Sequence, residues 1–173
     1  MPKTLFRSET TKFMYFEKPE GSGRNLLVVK KAKLYAHDFN GAHSDWGTKS
    51  ICVEIPEEIK DLLINDGWEI KVRIPDDESK PIRYFLPVKI EFNDYGPKIV
   101  KIAPDEPVTY TDSTVGKLDK IDMTDIDIII SPYRSEKKQT VSAYLREMRF
   151  KLVLSPLDYD YDDEEEDEEI PLL

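Results

Sequence analysis

The chain has 173 residues, of which 39% are hydrophobic and 35% charged, so it is long enough for one domain with a real core and too short for two comfortable ones. No apolar run approaches the roughly 18 residues that a membrane-spanning helix needs, and the first residues do not resemble a signal peptide. The lone Cys52 cannot form an internal disulfide, which predicts a packing role and a cytoplasmic, reducing location.

The formal net charge of −10 is distributed unevenly along the chain. Residues 158–173 hold ten of the 35 acidic residues and no basic one, so the remaining residues balance 25 acidic groups against 25 basic ones. Within that remainder, residues 1–37 carry a net charge of +5, residues 133–151 carry +4 and residues 38–132 carry −9. The two basic segments are far apart in sequence, and we expect that they could converge into one basic surface.

The N-terminal part of the chain is predicted as an arm followed by the first strand. Residues 1–25 have little apolar periodicity and end in PEGSGRN, which predicts an arm ahead of a domain over residues 26–157. The stretch LLVVKKAKLYA (26–36) then alternates and predicts a strand with an apolar inner face. Its outer face carries Lys31, Lys33 and Tyr35.

A loop, a second strand and the one clear helix follow. HDFNGAHSDWG (37–47) is rich in turn formers and predicts a loop that carries Phe39 and Trp46. KSICVEI (49–55) is the second predicted strand. PEEIKDLLINDG (56–67) predicts a helix, because proline and two glutamates open it and a glycine ends it.

The next two segments alternate between apolar and polar residues. WEIKVRI (68–74) predicts a strand with Trp68, Ile70, Val72 and Ile74 on its inner face. IRYFLPVKIEF (82–92) predicts another, in which Pro87 indicates an edge or a bulge. The predicted outer faces of these two strands carry Arg73, Arg83, Phe85 and Lys89.

The remaining strands complete a mostly β domain. PKIVKIA (97–103), DIDIIIS (125–131) and TVSAYLREMRFKLVL (140–154) are predicted strands, and DSTVGKLDKI (112–121) is a predicted short helix. In the last strand, Tyr144, Met148 and Phe150 share a parity and are predicted to lie in the core. Since one helix cannot cover a sheet of this size, we expect an OB-fold-like small antiparallel barrel with one main helix.

Signals for catalysis or metal binding are weak. The two glycines Gly21 and Gly23 lack the lysine and hydroxyl residue of a phosphate-binding loop. His37 and His43 flank acidic residues, but the surrounding turn formers favour ordinary loop chemistry over a metal site. With one cysteine and no nucleophile motif, we expect no catalytic residues, no metal and no cofactor.

Basic and aromatic residues on the predicted outer faces and loops favour nucleic-acid binding. Single-stranded nucleic acid is held by a basic groove for phosphates and by aromatic faces for bases. An alternative is that these residues only solvate the outer side of a sheet. The candidate nucleic-acid-binding residues are Lys31, Lys33, Tyr35, Phe39, Trp46, Arg73, Arg83, Phe85, Lys89, Tyr133, Arg134, Lys137 and Lys138.

The C-terminal segment DYDYDDEEEDEEIPLL (158–173) is predicted to be a disordered acidic tail, because like charges repel and little in it is apolar. It could serve only solubility, or it could imitate nucleic acid and occupy the basic groove of its own domain. The apolar tip suits a small hydrophobic pocket on a partner protein. The predicted partner-binding residues are Asp163, Glu164, Glu165, Glu166, Asp167, Glu168, Glu169, Ile170, Pro171, Leu172 and Leu173.

Several stretches resemble the family of phage-encoded single-stranded DNA-binding proteins and their prophage relatives. They are NLLVVKKAKLYAHDFNG, ICVEIPEEIKDLLINDGWEIKV, RYFLPVKIEF with GPKIVKI, STVGKLDKIDMTDIDIIISPY and VSAYLREMRF, which together cover about residues 25–154. The resemblance implies an OB-type fold and single-stranded DNA binding during phage replication or recombination, in the cytoplasm of an infected bacterium. It also implies a tail that recruits replication proteins.

The sequence therefore predicts a non-enzymatic, sequence-independent single-stranded DNA-binding protein, either monomeric or dimeric, without membrane contact. The rival hypothesis is a β-barrel adaptor or DNA mimic that binds a basic protein through its acidic tail and has no affinity for DNA. A metal-dependent nuclease is a third possibility, but the folded part of the sequence offers no convincing carboxylate cluster for it.

Overall fold

Short alternating segments form a strand-rich fold in a computed structural model of the chain, which describes residues 4–7, 13–16, 26–94, 96–134 and 140–153. No helix in these ranges is long and apolar enough to cross a membrane. The strands are β1 (Thr4–Arg7), β2 (Phe13–Phe16), β3 (Leu26–Val29), β4 (Leu34–Asp38), β5 (Lys49–Ile55), β6 (Lys71–Arg73), β7 (Arg83–Ile90), β8 (Lys98–Ala103), β9 (Val108–Tyr110), β10 (Met123–Arg134) and β11 (Val141–Leu152).

The strands belong to one sheet with the order β1-β2-β3-β10-β11-β7-β5-β4. Strand β6 pairs with β7, and β8 lies between β11 and β9. The pairings of β11 with β7 and with β8 are parallel, and the other pairings of these strands are antiparallel. Because β3 pairs with β10, the N-terminal and C-terminal basic segments are joined through neighbouring strands.

Strands β7 and β11 change partner along their length. Strand β7 pairs with β6 over Arg83–Phe85 and with β11 at Val88 and Lys89. Pro87 pairs with Cys52 of β5 and, on its other side, falls in the gap between these two stretches, which is a local edge of the kind predicted for it. The mostly β, OB-like class with one main helix is confirmed, although the sheet order runs between two ends and does not close in the described residues.

The predicted helix is present as α1 (Glu57–Asn65), which buries Ile59 and Leu63 in the core. Pro56 is the N-cap residue rather than the first helical residue, and Gly67 adopts a positive φ of 95° just beyond the C-terminus. The second predicted helix is a 3-10 helix over Val115–Lys120. Trp68, after α1, is also buried, as its predicted inner position requires.

The predicted strand over residues 26–36 is instead two strands, β3 and β4. Lys31 has a positive φ of 51°, which interrupts the extended backbone, and its N–H donates to Oδ1 of Asp127 over 3.0 Å. Residues 4–7 and 13–16 also differ from the prediction, since they form β1 and β2 at one end of the sheet rather than an arm. The predicted tail, residues 158–173, lies outside the described residues.

A β-bulge divides strand β11 into two halves of opposite parity. Ile129 pairs with Glu147 and Ile130 with Leu145, so Arg146 is an extra residue on β11. Before the bulge the odd-numbered residues are buried, and after it Met148 and Phe150 are buried. The prediction that Tyr144 shares the core side with Met148 and Phe150 is therefore wrong for Tyr144, because the extra residue reverses the alternation.

Candidate nucleic-acid interface

The outer face of the β5–β7 pair is the centre of the candidate interface. Ile51, Val53 and Ile55 of β5 are buried, and their partners on β7 are buried or, for Tyr84, partly buried, so the intervening residues point to the opposite side of the sheet. By register the adjacent strands β6 and β11 add Lys71, Arg73 and Tyr144 to that side. The residues of β5 and β7 on this outer face are Ser50, Cys52, Glu54, Arg83, Phe85, Pro87 and Lys89.

One end of the outer face carries a cluster of two arginines and two aromatic rings, which we call the arginine cluster: Tyr35, Arg73, Arg83 and Phe85. The rings of Tyr35 and Phe85 have centroids 4.2 Å apart, and both arginine guanidinium carbons lie within 6 Å of the Tyr35 centroid, at 5.4 and 5.9 Å. Arg73 also donates a hydrogen bond to the Tyr35 hydroxyl. Tyr35 is therefore covered by these groups and orients Arg73, and the two guanidinium groups give this end of the face its positive charge.

The other end of the outer face carries a second group, the tyrosine cluster: Lys89, Tyr133 and Tyr144. The rings of Tyr133 and Tyr144 meet edge to face with centroids 6.0 Å apart, and Nζ of Lys89 lies 5.8 Å from the Tyr144 centroid. Burial, nearby Glu91 and Tyr133 together raise the pKa of Tyr144, so its phenol stays protonated at neutral pH. Tyr133 is half exposed, and the ring that it packs against, Tyr144, lies beside the Lys89 ammonium group.

A compact loop over residues 39–48 holds the most exposed aromatic side chain of the described chain. Trp46 is 91% exposed. The loop is fastened by backbone hydrogen bonds between Gly41 and Asp38, Ser44 and Gly41, and Gly47 and Ser44. Gly41 has a φ of 74°, and a Cβ there would overlap the carbonyl group of Gly47, so the tight closure of this loop requires glycine. Trp46 is thus presented to solvent by a loop with a defined shape.

The loop leaves the sheet at the same end as the tyrosine cluster. Asp38, the last residue of β4, pairs with Ser50, which in turn pairs with Lys89. Along β7, Arg83 and Lys89 are six residues apart, which corresponds to about 20 Å of extended strand. The outer face therefore has the arginine cluster at one end, and the tyrosine cluster and the Trp46 loop at the other.

Asp119, in the 3-10 helix, fixes the start of this loop. Its carboxylate accepts hydrogen bonds from the N–H groups of Phe39 and Asn40, both over 2.9 Å, and contacts Nδ1 of His37 at 2.7 Å. Burial acts to raise the pKa of Asp119, but the Phe39 N–H, the His37 ring and the Asn40 N–H outweigh it and lower the pKa below its ordinary value. The ionised carboxylate is therefore the form that stabilises the loop root.

Acidification is expected to destabilise the wild-type fold partly through Asp119. Because the folded-state pKa lies below the unfolded one, this group stabilises the fold above the ordinary aspartate pKa of about 3.9, and the contribution is lost as the pH falls through the folded value. Thermal unfolding at a series of pH values should show a steeper acid loss for the wild type than for Asp119→Asn. Asp94→Asn, at an exposed position, serves as the control, and parallel curves for the wild type and Asp119→Asn would contradict this assignment.

Two of the predicted binding residues are not on the surface. Phe39 is fully buried in the core that also contains Val115 and Leu118, and Phe85 is 3% exposed because Tyr35 and Arg83 cover its ring. Their predicted exposure is wrong: Phe85 does point to the outer side, but its neighbours close over it, and Phe39 turns inward where β4 ends.

The other predicted residues divide into three groups. Lys31 and Lys33 are exposed in the link between β3 and β4. Tyr35, Arg73, Arg83, Lys89, Tyr133 and Trp46 lie in the two clusters and the loop. Arg134 ends β10, and its side chain, like Lys137, Lys138 and the whole of the acidic tail, is outside what the structure describes.

The sequence alone did not identify Tyr144 or Glu54 as parts of the interface. Tyr144 was hidden by the bulge at Arg146, since simple alternation assigns it to the core. Glu54 lies on the outer face and binds Arg83 through both carboxylate oxygens, at 3.0 Å to Nε and 2.7 Å to Nη2. The signal that could have identified Glu54 is its polar position on β5, which pairs with the strand that carries Arg83 and Lys89.

The outer face combines basic and acidic groups with one thiol. Lys71, Arg73, Arg83 and Lys89 face two acidic residues, Glu54 and Glu91. Burial raises the pKa of Cys52, with Lys71 opposing the shift, so the thiol is protonated at neutral pH. Across the described ranges, no three His, Cys, Asp or Glu side chains come together in a way that could hold a metal ion.

Comparison with known proteins gives a family match over most of the chain. A family model described as "Putative phage ssDNA-binding domain" matches residues 22–171. No curated protein matches the sequence.

Solved structures of one phage protein share the fold. The C-terminally truncated single-stranded DNA-binding protein from bacteriophage Enc34 has a TM-score of 0.52 and 12% identity, covering 89% of this chain and 98% of its own. The untruncated Enc34 protein has a TM-score of 0.50 and 11% identity, with 93% and 98% covered. Its complex with single-stranded DNA has a TM-score of 0.50 and 10% identity, with 90% and 97% covered.

The family model spans well over half of the chain and includes all of β3 to β11. The fold and the family model agree with the resemblance found in the sequence. The chain belongs to the phage single-stranded DNA-binding domain family.

Proposed function

We propose that this chain binds single-stranded DNA without sequence preference across the outer face of β5 and β7, and that it acts in phage DNA replication or recombination. The observation that carries the proposal is the joining of the arginine cluster and the tyrosine cluster on one face, beside the exposed Trp46. Family membership and the Enc34 complex with single-stranded DNA support the same ligand. The proposed activity is binding alone, without catalysis.

The two ends of the face take different parts of the DNA. Arg73 and Arg83 present guanidinium groups, whose planar donors suit phosphate oxygens, and Lys89 adds a point charge. Tyr133 and Trp46 present exposed ring faces, on which bases stack for about 1–3 kcal/mol each. Tyr144 backs Tyr133 and is a further contact.

Lack of sequence preference follows from the chemistry of these groups. Stacking uses the ring face that all four bases share, and phosphate contacts carry no sequence information. An exposed, shallow sheet face also accommodates a single strand more readily than it does a stacked duplex, in which the ring faces of the bases are covered. The ligand class is therefore single-stranded nucleic acid, with phosphate contacts for affinity and rings for the bases.

The acidic tail is proposed to compete with DNA for this face and to recruit replication or recombination proteins through residues 163–173. Its run of carboxylates offers the charge that the arginine cluster and Lys89 attract. Sixteen residues reach at most about 53–58 Å when extended, which is enough to cross a domain of this size. The apolar end, IPLL, is suited to a hydrophobic pocket on a partner protein.

Removing the tail is expected to tighten DNA binding. Fluorescence anisotropy of labelled oligo-dT would be measured for the full chain and for a 1–157 truncation across a salt series. Both should lose affinity as salt rises, since phosphate binding releases counterions, and the truncation should bind more tightly at low salt.

A full-length variant with amides in place of the acidic residues 163–169 is the matched control, because it keeps the tail length and the apolar tip. It should behave like the truncation if charge is what competes. If neither the full chain nor the truncation binds oligo-dT at low salt, the DNA-binding proposal fails. The adaptor hypothesis, in which the acidic tail binds a basic protein, then takes its place.

A further inference from the structure

We propose that Glu54 is an internal competitor for DNA phosphate at Arg83, so that the chain holds any single phosphate weakly and favours strands that engage several contacts at once. This inference rests on the proposed function and specifies how affinity at the same face is limited. It concerns a folded part of the domain and is separate from the acidic tail.

Glu54 binds Arg83 with the two-bond geometry that an arginine also uses to bind a phosphate. Oε2 of Glu54 accepts from Nε of Arg83 at 3.0 Å, and Oε1 accepts from Nη2 at 2.7 Å. These two nitrogens form one edge of the guanidinium group, which binds carboxylates and phosphates with two parallel hydrogen bonds. A DNA phosphate that used this edge would have to replace the Glu54 carboxylate.

The position of Glu54 is set by the sheet and places it among the basic residues. It is opposite Phe85 on β7, and Phe85 is opposite Lys71 on β6, so Glu54 and Lys71 flank the same residue. Arg73 is opposite Arg83. The carboxylate therefore lies in the part of the outer face where basic side chains are densest.

The pair is accessible enough for exchange. The side chains of Arg83 and Glu54 are 25% and 26% exposed, so each still contacts water. Water screens a partly exposed ion pair, so the Glu54 carboxylate can be replaced by another anion without either charge leaving contact with water.

Competition at one site changes how the whole face selects its ligand. An isolated phosphate gains only the difference between its own contact with Arg83 and the contact that Glu54 gives up. A longer strand that also reaches Lys89, Tyr133 and Trp46 gains further contacts for which it does not have to displace Glu54. The arrangement thus favours polynucleotides over short anions and allows exchange at one contact while others hold.

The test compares oligo-dT binding by the full-length wild type, Glu54→Gln and Glu54→Asp across a salt series. Glu54→Gln should bind roughly two- to fivefold more tightly, the range expected for releasing an accessible ion pair. The slope of log affinity against log salt should steepen by about 0.7, the value for one added single-strand phosphate contact. Glu54→Asp keeps the charge but shortens the side chain by one methylene, and should tighten binding through the lost contact alone.

Two controls separate competition from other effects. Glu106→Gln makes the same change in net charge at an exposed position in the link between β8 and β9, and should leave affinity near the wild-type value. In an Arg83→Ala background, Glu54→Gln should give no tightening, because the site of competition is gone. Thermal unfolding of each variant confirms that the compared proteins are folded.

Each outcome decides the matter. Weaker binding by Glu54→Gln would mean that the carboxylate orients Arg83 for phosphate, and would overturn the inference. Equal tightening in Glu106→Gln, or tightening that survives Arg83→Ala, would also overturn it. If wild type binds oligo-dT and Glu54→Gln is unchanged, this inference alone fails. If the wild type, the tail truncation and Glu54→Gln all show no binding, the proposed function fails with it.

Discussion

Replacing Phe39 with alanine is expected to destabilise the fold by about 3–5 kcal/mol, the range for truncating a buried phenylalanine. The ring is fully buried, its centroid lies 5.4 Å from that of His37, and the Phe39 N–H is bonded to Asp119. For a chain of this length, the loss corresponds to a fall in melting temperature of roughly 6–20 °C. Calorimetry or circular dichroism of the purified variant would measure it.

Phe39→Leu is the matched control, because it fills most of the same space and should lose much less stability. Binding of oligo-dT by the folded fraction of Phe39→Ala should remain close to that of the wild type, since the ring does not reach the surface. A variant that kept its melting temperature and lost DNA binding would contradict the core assignment and return Phe39 to the ligand site.

Replacing Trp46 with alanine is expected to have the opposite pattern. If a base stacks on this ring, the loss is about 1–3 kcal/mol, or roughly a 5- to 150-fold fall in affinity for oligo-dT. Stability should change little, because the side chain is 91% exposed and its loop is held by backbone hydrogen bonds. Anisotropy and thermal unfolding of the same preparation would measure both quantities.

Trp46→Phe is the control for ring stacking, since it keeps an aromatic face and should retain most of the affinity. It also identifies the origin of any fluorescence change. DNA should quench the emission of Trp46 in the wild type, whereas Trp68, 3% exposed, should not respond. Unchanged affinity in Trp46→Ala would remove this residue from the proposed interface.

The sequence predicts the β-rich class and the main helix well because these depend on local signals. Strand β7 alternates clearly, and its core-side residues Leu86, Val88 and Ile90 are buried, as the period-two pattern predicts. The helix carries its own start and stop residues, so α1 appears where predicted. Openness of the sheet depends on which distant strands pair, and no local pattern encodes that.

The predicted exposure of the candidate residues is right where side-chain direction alone sets it and wrong where neighbouring residues cover the side chain. Arg73, Lys89 and Trp46 are exposed, as their positions in sequence indicate. Phe85 also points outward, but Tyr35 arrives from another strand and closes over it. The inner placement predicted for Val72 and Ile74 is wrong, since they are 53% and 72% exposed. Strand β6 is only three residues long, and no neighbour in the described part of the chain covers these two side chains as Tyr35 covers Phe85.

The extra residue at Arg146 affects how distant relatives should be compared. With identities of 10–12% to the Enc34 structures, aligned positions depend on where single-residue gaps are placed. Consider an ungapped alignment with a relative that lacks the bulge. If the residues after Arg146 are aligned correctly, Tyr144 is matched to a core residue; if the residues before it are aligned correctly, Met148 is matched to a surface residue. Conservation scores for the last strand therefore have meaning only after a gap has been allowed at this residue.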